Sequence, residues 1–379
     1  MTERAASTGP EAKGWCPGAL RPMMSGDGLI VRVRPRLARL GLAQIAGLCD
    51  VAGRFGSGLV DVTNRANLQI RGVTPENHPA LMAGLYALGL LDPDADTEAR
   101  RNILITPYWS DGDLSQRLAR DLMTALRQLP TLPAKFGFAI DAGPAPVLTK
   151  SPADIRIEYG EDGILILRAD GCAKGQIISP QDAISALMDM ADWFAQTAPD
   201  DVTRMKQIAD RVPSAWQRHT TANPAADPRP GETDAGPMLG LPFGQISADA
   251  LIDLMDRSNA TAVRVTPWRM VILEGGQPVQ SPNTITDASD PLIGVDACPG
   301  APFCGSATVE TRALARALAP DHDQSLHVSG CAKGCARSRP AHTTLVGRDG
   351  RFDLVRDGHA WDEPDHRGLA ADRLAQRSE

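Results

Sequence analysis

Cys298-Pro-Gly-Ala-Pro-Phe-Cys304 and Gly330-Cys331-Ala-Lys-Gly-Cys335 hold four of the seven cysteines of the chain in two tight pairs. The residues between the pairs read as one helix followed by one strand. Thiolates are the ligands of iron–sulfur clusters, normally four per cubane. Gly300, Gly305, Gly330 and Gly334 surround the cysteines, and their lack of a Cβ lets backbone wrap closely round an inorganic core. A structural zinc site is the competing reading. Zinc cysteines are usually two to four residues apart, whereas Cys298 and Cys304 have five between them. A disulfide is disfavoured because nothing in the chain signals export. An iron–sulfur cluster on Cys298, Cys304, Cys331 and Cys335 is the expectation.

Working outward, 379 residues suffice for two or three domains with sizeable cores. Aromatics are 4% of a composition that is 42% hydrophobic, so small aliphatic side chains must fill the interior. The formal net charge of −7 argues against a nucleic-acid partner. The first 14 residues are polar, with no apolar signal-peptide core. No run approaches the roughly 20 apolar residues of a membrane span. These features predict a cytoplasmic enzyme with no membrane partner.

After Trp15-Cys16-Pro-Gly18, residues 29–34 read as a strand. A helical stripe of Leu42, Ile45, Leu48, Cys49, Ala52 and Phe55 follows, with Cys49 as a core residue. Residues 60–71 read as two strands around a turn, and Thr74-Pro75 opens a further helix. This strand–helix–strand–strand–helix order is ferredoxin-like. Further on, strands at 100–107, 135–140, 154–159 and 164–168 and helices at 113–129, 179–197 and within 202–219 are expected, with Gly160-Glu-Asp-Gly163 as a hairpin turn. The Pro- and Ala-rich segment 220–236 reads as a linker.

Past that segment the pattern repeats. Val60-Asp-Val-Thr63 recurs as Val263-Arg-Val-Thr266, Thr106-Pro107 stands where Cys298-Pro299 stands, and the 160–163 turn recurs as Gly347-Arg-Asp-Gly350. The shared order implies two half-molecules of one design, with a cluster only in the second. Gly171-Cys-Ala-Lys-Gly175 is identical to Gly330–Gly334 but falls out of register with the repeat. Cys172 is therefore left out of the ligand set.

With its Cys-x5-Cys and Cys-x3-Cys pairs, the chain resembles the nitrite/sulfite reductase family over about residues 25–357. The resemblance implies an α+β fold of duplicated architecture: two ferredoxin-like half-domains plus two mixed α/β domains in pseudo-twofold arrangement. It implies a first half-domain at 15–91, a tetrapyrrole-binding domain without cluster at 97–219, the linker at 220–236 and a second half-domain at 237–290. A cluster domain at 291–357 and a polar tail at 358–379 complete the division. In that family the four cysteines hold a 4Fe–4S cluster, and the position of Cys335 bridges to sirohaem iron. Arg65, Arg101 and Lys135 match positions where basic groups meet tetrapyrrole carboxylates or the oxyanion. Two departures speak against oxyanion reduction: Thr63-Asn-Arg-Ala66 stands for Thr-x-Arg-Gln, and Gly137 stands where the reductases carry a second lysine. Losing such a cation commonly costs several kcal/mol of barrier.

Arg65-Ala-Asn-Leu-Gln-Ile-Arg71, with Trp15-Cys-Pro-Gly18, resembles the precorrin-3B synthase branch, in which the tetrapyrrole is substrate. That resemblance implies O2-dependent hydroxylation of precorrin-3A between rings A and D, with lactone closure, in aerobic cobalamin synthesis. It also implies a 4Fe–4S cluster, a mononuclear non-haem iron, NADH as formal reductant and an electron-donor protein or reductase as partner. A sirohaem reductase and a non-catalytic iron–sulfur electron carrier are the alternatives. Arginine suits the acidic rim of such a substrate because its fork binds carboxylate in two places. Arg32, Arg34, Arg65, Arg71, Arg101, Arg168, Arg264 and Arg269 lie on expected strands or turns. Arg65, Asn67, Gln69 and Arg71 alternate toward one surface, and with Arg101, Lys135 and Lys333 they are the candidate substrate-binding residues. A facial triad for the second iron would need two histidines and a carboxylate; His327 and His342 are nearest the cysteines, while His359 and His366 belong to the polar tail.

Overall fold

The computed structural model describes residues 17–375, so Trp15 and Cys16 lie outside the described residues. Four sheets form two related pairs. The first runs in the order Met23–Ser25, Gly28–Val33, Leu68–Val73, Leu59–Val62, Gln245–Ser247. The second runs Gly231–Thr233, Gly236–Gly240, Met270–Glu274, Ala262–Val265, Arg39–Gly41. Each therefore takes its last strand from the other half: Gln245–Ser247 pairs antiparallel with Leu59–Val62, and Arg39–Gly41 with Ala262–Val265. Both exchanged strands follow a tight turn on a residue with positive φ, 56° at Leu37 and 56° at Phe243. Both lead directly into a helix, Leu42–Phe55 or Ala248–Ser258. Leu42–Phe55 buries Ile45, Leu48, Cys49 and Ala52 of the expected stripe, and Val51 beside it. Phe55 is half-buried, and Leu42, at the exposed first position of the helix, is 52% exposed. The oxygen of Ser247 caps Ala248–Ser258 by accepting the N–H of Ala250.

The other two sheets also share a plan. Ile103–Ile105, Phe138–Asp141 and Ile155–Tyr159 are parallel, and Leu165–Ala169 returns antiparallel. Val295–Ala297, Leu326–Ser329 and Ala341–Arg348 are parallel, and Arg351–Gly358 returns antiparallel. Helices Leu114–Ala125 and Ala183–Thr197 bury their apolar sides on the first of these sheets, and Arg312–Leu318 on the second. The α+β fold is thus duplicated, with pseudo-twofold exchange between the halves. Among the described residues, no helix is long and apolar enough to cross a membrane.

Several local expectations are corrected. Residues 135–137 are not strand: a turn at 134–135 is followed by irregular backbone, and the strand starts at Phe138. The segment 202–219 holds two 3-10 helices, Met205–Arg211 and Ser214–Trp216. Within 220–236, Gly231–Thr233 is an edge strand paired with Gly236–Gly240. Residues 359–375 are packed onto the fold: His366–Leu369 pairs with Arg351–Gly358, Leu369 and Leu374 cover the core beneath, and His359 stacks on Trp361 at 4.5 Å. A three- or four-residue strand is too short to show alternation, but it satisfies the backbone of an otherwise open sheet edge.

Candidate active site

Parallel neighbours end at the same edge of a sheet, and that edge is where open α/β sheets bind ligands. Val295–Ala297 and Leu326–Ser329 are such neighbours, with Ala297 opposite Val328. Their continuations, Cys298–Cys304 and Cys331–Cys335, are delivered together. The Gly330 N–H donates to Cys298 Sγ at 3.1 Å, a bond of the kind that tunes clusters. Thr311 Oγ1 donates to the Cys298 carbonyl at 2.5 Å, and Ser329 Oγ to the Cys331 carbonyl at 2.7 Å. Burial pushes the Cys331 thiol up, and Cys298 and Cys304 add to the effect. Cys335, open to solvent on one side, is raised by burial on its others and then by Cys331, Cys298 and Cys304. The four sulfurs therefore lie within electrostatic reach of one another. Lys333 Nζ reaches Ser306 Oγ at 2.9 Å and ties the two cysteine loops together. At Gly26 a Cβ would stand 2.2 Å from the Gly305 nitrogen, so the first hairpin of the chain packs directly on the cysteine loop.

Four thiols, sulfur-directed N–H and glycine-lined backbone fit a 4Fe–4S group in donor chemistry. Among the described residues, no three of His, Cys, Asp or Glu close round one point as ligands of a single ion. His342 pairs with Asp357 at 3.0 Å on the surface. His327 is fully buried, both ring nitrogens lack a hydrogen-bond partner, and burial pushes its pKa down to about 4. These histidines do not form a triad, and the residues present do not fit a mononuclear iron.

The candidate substrate residues do not form one group. Arg65, Asn67 and Arg101 line one small cavity with Asn102, Ile103 and Leu104. Half-buried Arg65 donates to the Lys135 carbonyl at 2.8 Å. A Cβ at Gly137 would meet Arg65 Nη1 and the Asn102 carbonyl, each at 3.0 Å, so the missing side chain leaves the space that Arg65 fills. Arg101 is held in a bidentate pair with buried Asp92, at 2.8 Å on each arm. Gln69 accepts from Arg32 at 2.7 Å. Arg71 leaves this group: Asp27 holds it at 2.9 Å on two atoms, Asp61 lies at 3.4 Å, and Nη2 reaches the Phe303 carbonyl at 3.4 Å. Arg168, Arg264 and Arg269 are likewise paired internally, with Glu158, Glu274 and Asp296, and Arg34 donates to the Glu98 carbonyl. Gln245, Arg312 and Gly26 carry no local sequence signal, because their roles arise from exchanged strands and from packing between the halves.

The family model described as nitrite/sulfite reductase ferredoxin-like half domain matches residues 21–88. A precorrin-3B synthase of Sinorhizobium sp is 30% identical, across 95% of this chain and 86% of the relative. A ferredoxin–nitrite reductase of Synechococcus elongatus is 23% identical, across 88% of this chain and 78% of the relative. The solved structure of the NirA protein of Mycobacterium tuberculosis superposes with a TM-score of 0.63 at 18% identity, covering 92% of this chain and 79% of that one. The fold, the duplicated sheets and these likenesses agree: the chain is an oxidoreductase of the precorrin-3B synthase family, within the wider nitrite/sulfite reductase family.

Proposed function

We propose that the protein inserts one oxygen atom of O2 into precorrin-3A at the meso carbon between rings A and D, with a ring-A acetate closing the lactone of precorrin-3B. Two features of one chain, together with its likeness to a relative, support this reading. Four cysteines leave one sheet edge together, and Arg65, Asn67 and Arg101 share a cavity, in a sequence 30% identical to a precorrin-3B synthase over 95% of its length. Electrons balance when NADH supplies two: precorrin-3A, O2, NADH and a proton give precorrin-3B, water and NAD+. A 4Fe–4S cluster held by Cys298, Cys304, Cys331 and Cys335 would pass those electrons singly.

The remaining work falls to side chains. Arg65, anchored on the Lys135 carbonyl, offers its guanidinium to a rim carboxylate, a charge-assisted contact of about 1.5–3 kcal/mol. The Asn67 amide supplies a second polar contact, while Ile103 and Leu104 give the cavity an apolar wall. Arg101, neutralised by Asp92, positions the wall, and Lys135 adds a second cation beside Arg65. The decisive experiment incubates anaerobically purified protein with precorrin-3A, a reductant and labelled O2. One labelled oxygen in the product, with an iron–sulfur shoulder and no red-region isobacteriochlorin bands, is the expected result. Sirohaem bands with sulfite or nitrite turnover would overturn the proposal, as would a colourless zinc protein.

A further inference from the structure

We propose that Arg312 sets the reduction potential of the cluster, as the positive charge that balances a carboxylate network running behind the cysteine loop. The inference rests on the four-cysteine cluster reading and goes beyond it. A cavity of about 230 Å³ opens behind that loop, walled by Arg71, Gln245, Pro299, Phe303, Thr311 and Arg312. A continuous chain of polar contacts crosses it from one half of the molecule to the other. Arg312 Nη1 donates to Gln245 Oε1. Gln245 Nε2 donates to Asp61 Oδ1 at 2.7 Å, Asp61 Oδ2 meets Arg71 Nη1 at 3.4 Å, and Arg71 Nε meets Asp27 Oδ2 at 2.9 Å.

The charges in this chain decide the matter. Asp27 and Asp61 carry two negative charges and Arg71 one positive, with all three side chains at most 12% exposed. Without Arg312 the network would hold one net negative charge beside the cysteines. With it, the sum is zero. Among the described residues no carboxylate forms an ion pair with Arg312, and its Nε is buried without a hydrogen-bond partner. Its charge faces inward: burial pulls its pKa down, Asp61 opposes that, and Arg71, Cys298 and Arg316 are the other charges it senses. Exposed Glu310 stands at the mouth of the cavity, where water screens it. The preceding residue, Thr311, grips the Cys298 carbonyl, so the guanidinium is carried on the segment that fixes the first cysteine. Reduction adds one negative charge to a cluster, and its potential follows the net charge around it. A cation held in a poorly solvated place acts over several ångströms.

The test is a potentiometric titration of the holoprotein, read by the electron paramagnetic resonance signal of the reduced cluster. Arg312→Gln should move the midpoint to more negative values, Arg312→Lys should leave it near that of the unaltered protein, and Asp61→Asn should move it to more positive values. An unchanged or raised midpoint in Arg312→Gln at full iron content would overturn the inference. If Arg312→Gln fails to retain iron, Asp61→Asn decides alone, and a midpoint at or below that of the unaltered protein overturns it. Absence of any cluster signal in the unaltered protein overturns the cluster reading, and this inference with it.

Discussion

The two halves of the molecule solve one packing problem with opposite charges. In the first ferredoxin-like sheet Asp61 and Arg71 form a pair, and Gln245 arrives on the exchanged strand. In the second, Arg264 stands at the place of Asp61, Glu274 at that of Arg71, and Arg39 arrives on the exchanged strand. Each arginine reaches across to a loop of the other half. Arg71 donates to the Phe303 carbonyl in the cysteine loop, and Arg264 to the Pro107 carbonyl at 2.9 Å with its guanidinium 4.1 Å over the Trp109 ring. The loops themselves start alike: the Thr106 N–H donates to the Ile140 carbonyl at 2.9 Å, and the Cys298 N–H to the Val328 carbonyl at 3.4 Å. Beyond that point they diverge. Trp109, 4% exposed, fills the first end, whereas the second end presents thiols. Arg65 on the first turn likewise corresponds to Trp268, which stacks on Tyr108 at 6.5 Å. A common scaffold thus keeps its interlock at both ends and presents thiols at only one of them.

The largest expected effect removes that difference. Cys331→Ser should abolish bound iron and acid-labile sulfide and all turnover, while the circular dichroism of the N-terminal half persists; retained iron with full activity would refute the ligand set. Next come the two clamps. Arg264→Ala strips a buried partner from Glu274 and should cost about 3–5 kcal/mol in denaturant unfolding, without altering iron content. Arg71→Ala leaves Asp27 and Asp61 buried together and should cost a similar amount, but it should also lower iron content because the Phe303 carbonyl loses its donor. Equal iron loss in both variants would mean that the clamps are not specific to their own loops.

A third prediction concerns the residues at the ends of corresponding strands. Asp141 matches Ser329, one step past the paired Ile105–Ile140 and Ala297–Val328. Asp141 Oδ2 accepts the N–H groups of Val147 and Leu148, each at 2.7 Å, while Oδ1 is buried without a partner. Burial raises its pKa to about 6. The folded state therefore holds a proton that the unfolded chain releases near pH 4. That stability is complete below the unfolded value and is lost as pH rises through about 6, a difference of about 2–3 kcal/mol. Asp141→Asn keeps the acceptor oxygen and should flatten the pH dependence of unfolding between about pH 4 and 6. An unchanged slope would show that another group titrates there.

Much of this architecture is readable from residue patterns, and what is not has a common cause. The helix stripe from Leu42 to Phe55, both hairpin turns and the loop equivalence of Thr106 and Cys298 follow from periodicity and order. The exchanged strands Arg39–Gly41 and Gln245–Ser247 do not, since three residues carry no alternation and their partners lie some 200 residues away. The duplicated pentapeptide makes the same point. At 171–175 it buries Cys172, whose Sγ faces the Ala209 carbonyl at 3.7 Å, and feeds the strand Lys174–Ile177. At 330–334 it forms the loop that carries Cys331. Register within the repeat, rather than identity of residues, separates the two. The arginines show the converse limit: residue pattern alone does not reveal that Arg71 is held by Asp27 and Asp61, or Arg101 by Asp92.

The remaining predictions probe smaller asymmetries. Gly137→Ala sets a methyl group 3.0 Å from Arg65 Nη1, so the guanidinium must shift. A stability cost of about 1 kcal/mol and a raised KM for the tetrapyrrole, with kcat less affected, are expected. An unchanged KM would remove Arg65 from the substrate surface. Lys333→Ala should do least. Its side chain is solvent-exposed, and its bond to Ser306 at 2.9 Å is a surface contact, worth about 0–1 kcal/mol. Iron content should be unchanged, because the loops remain joined through the Gly330 N–H to Cys298 Sγ, a bond that the substitution does not touch. A marked fall in iron on removing Lys333 alone would mean that the cysteine loops depend on that exposed strap more than on the buried backbone beneath it.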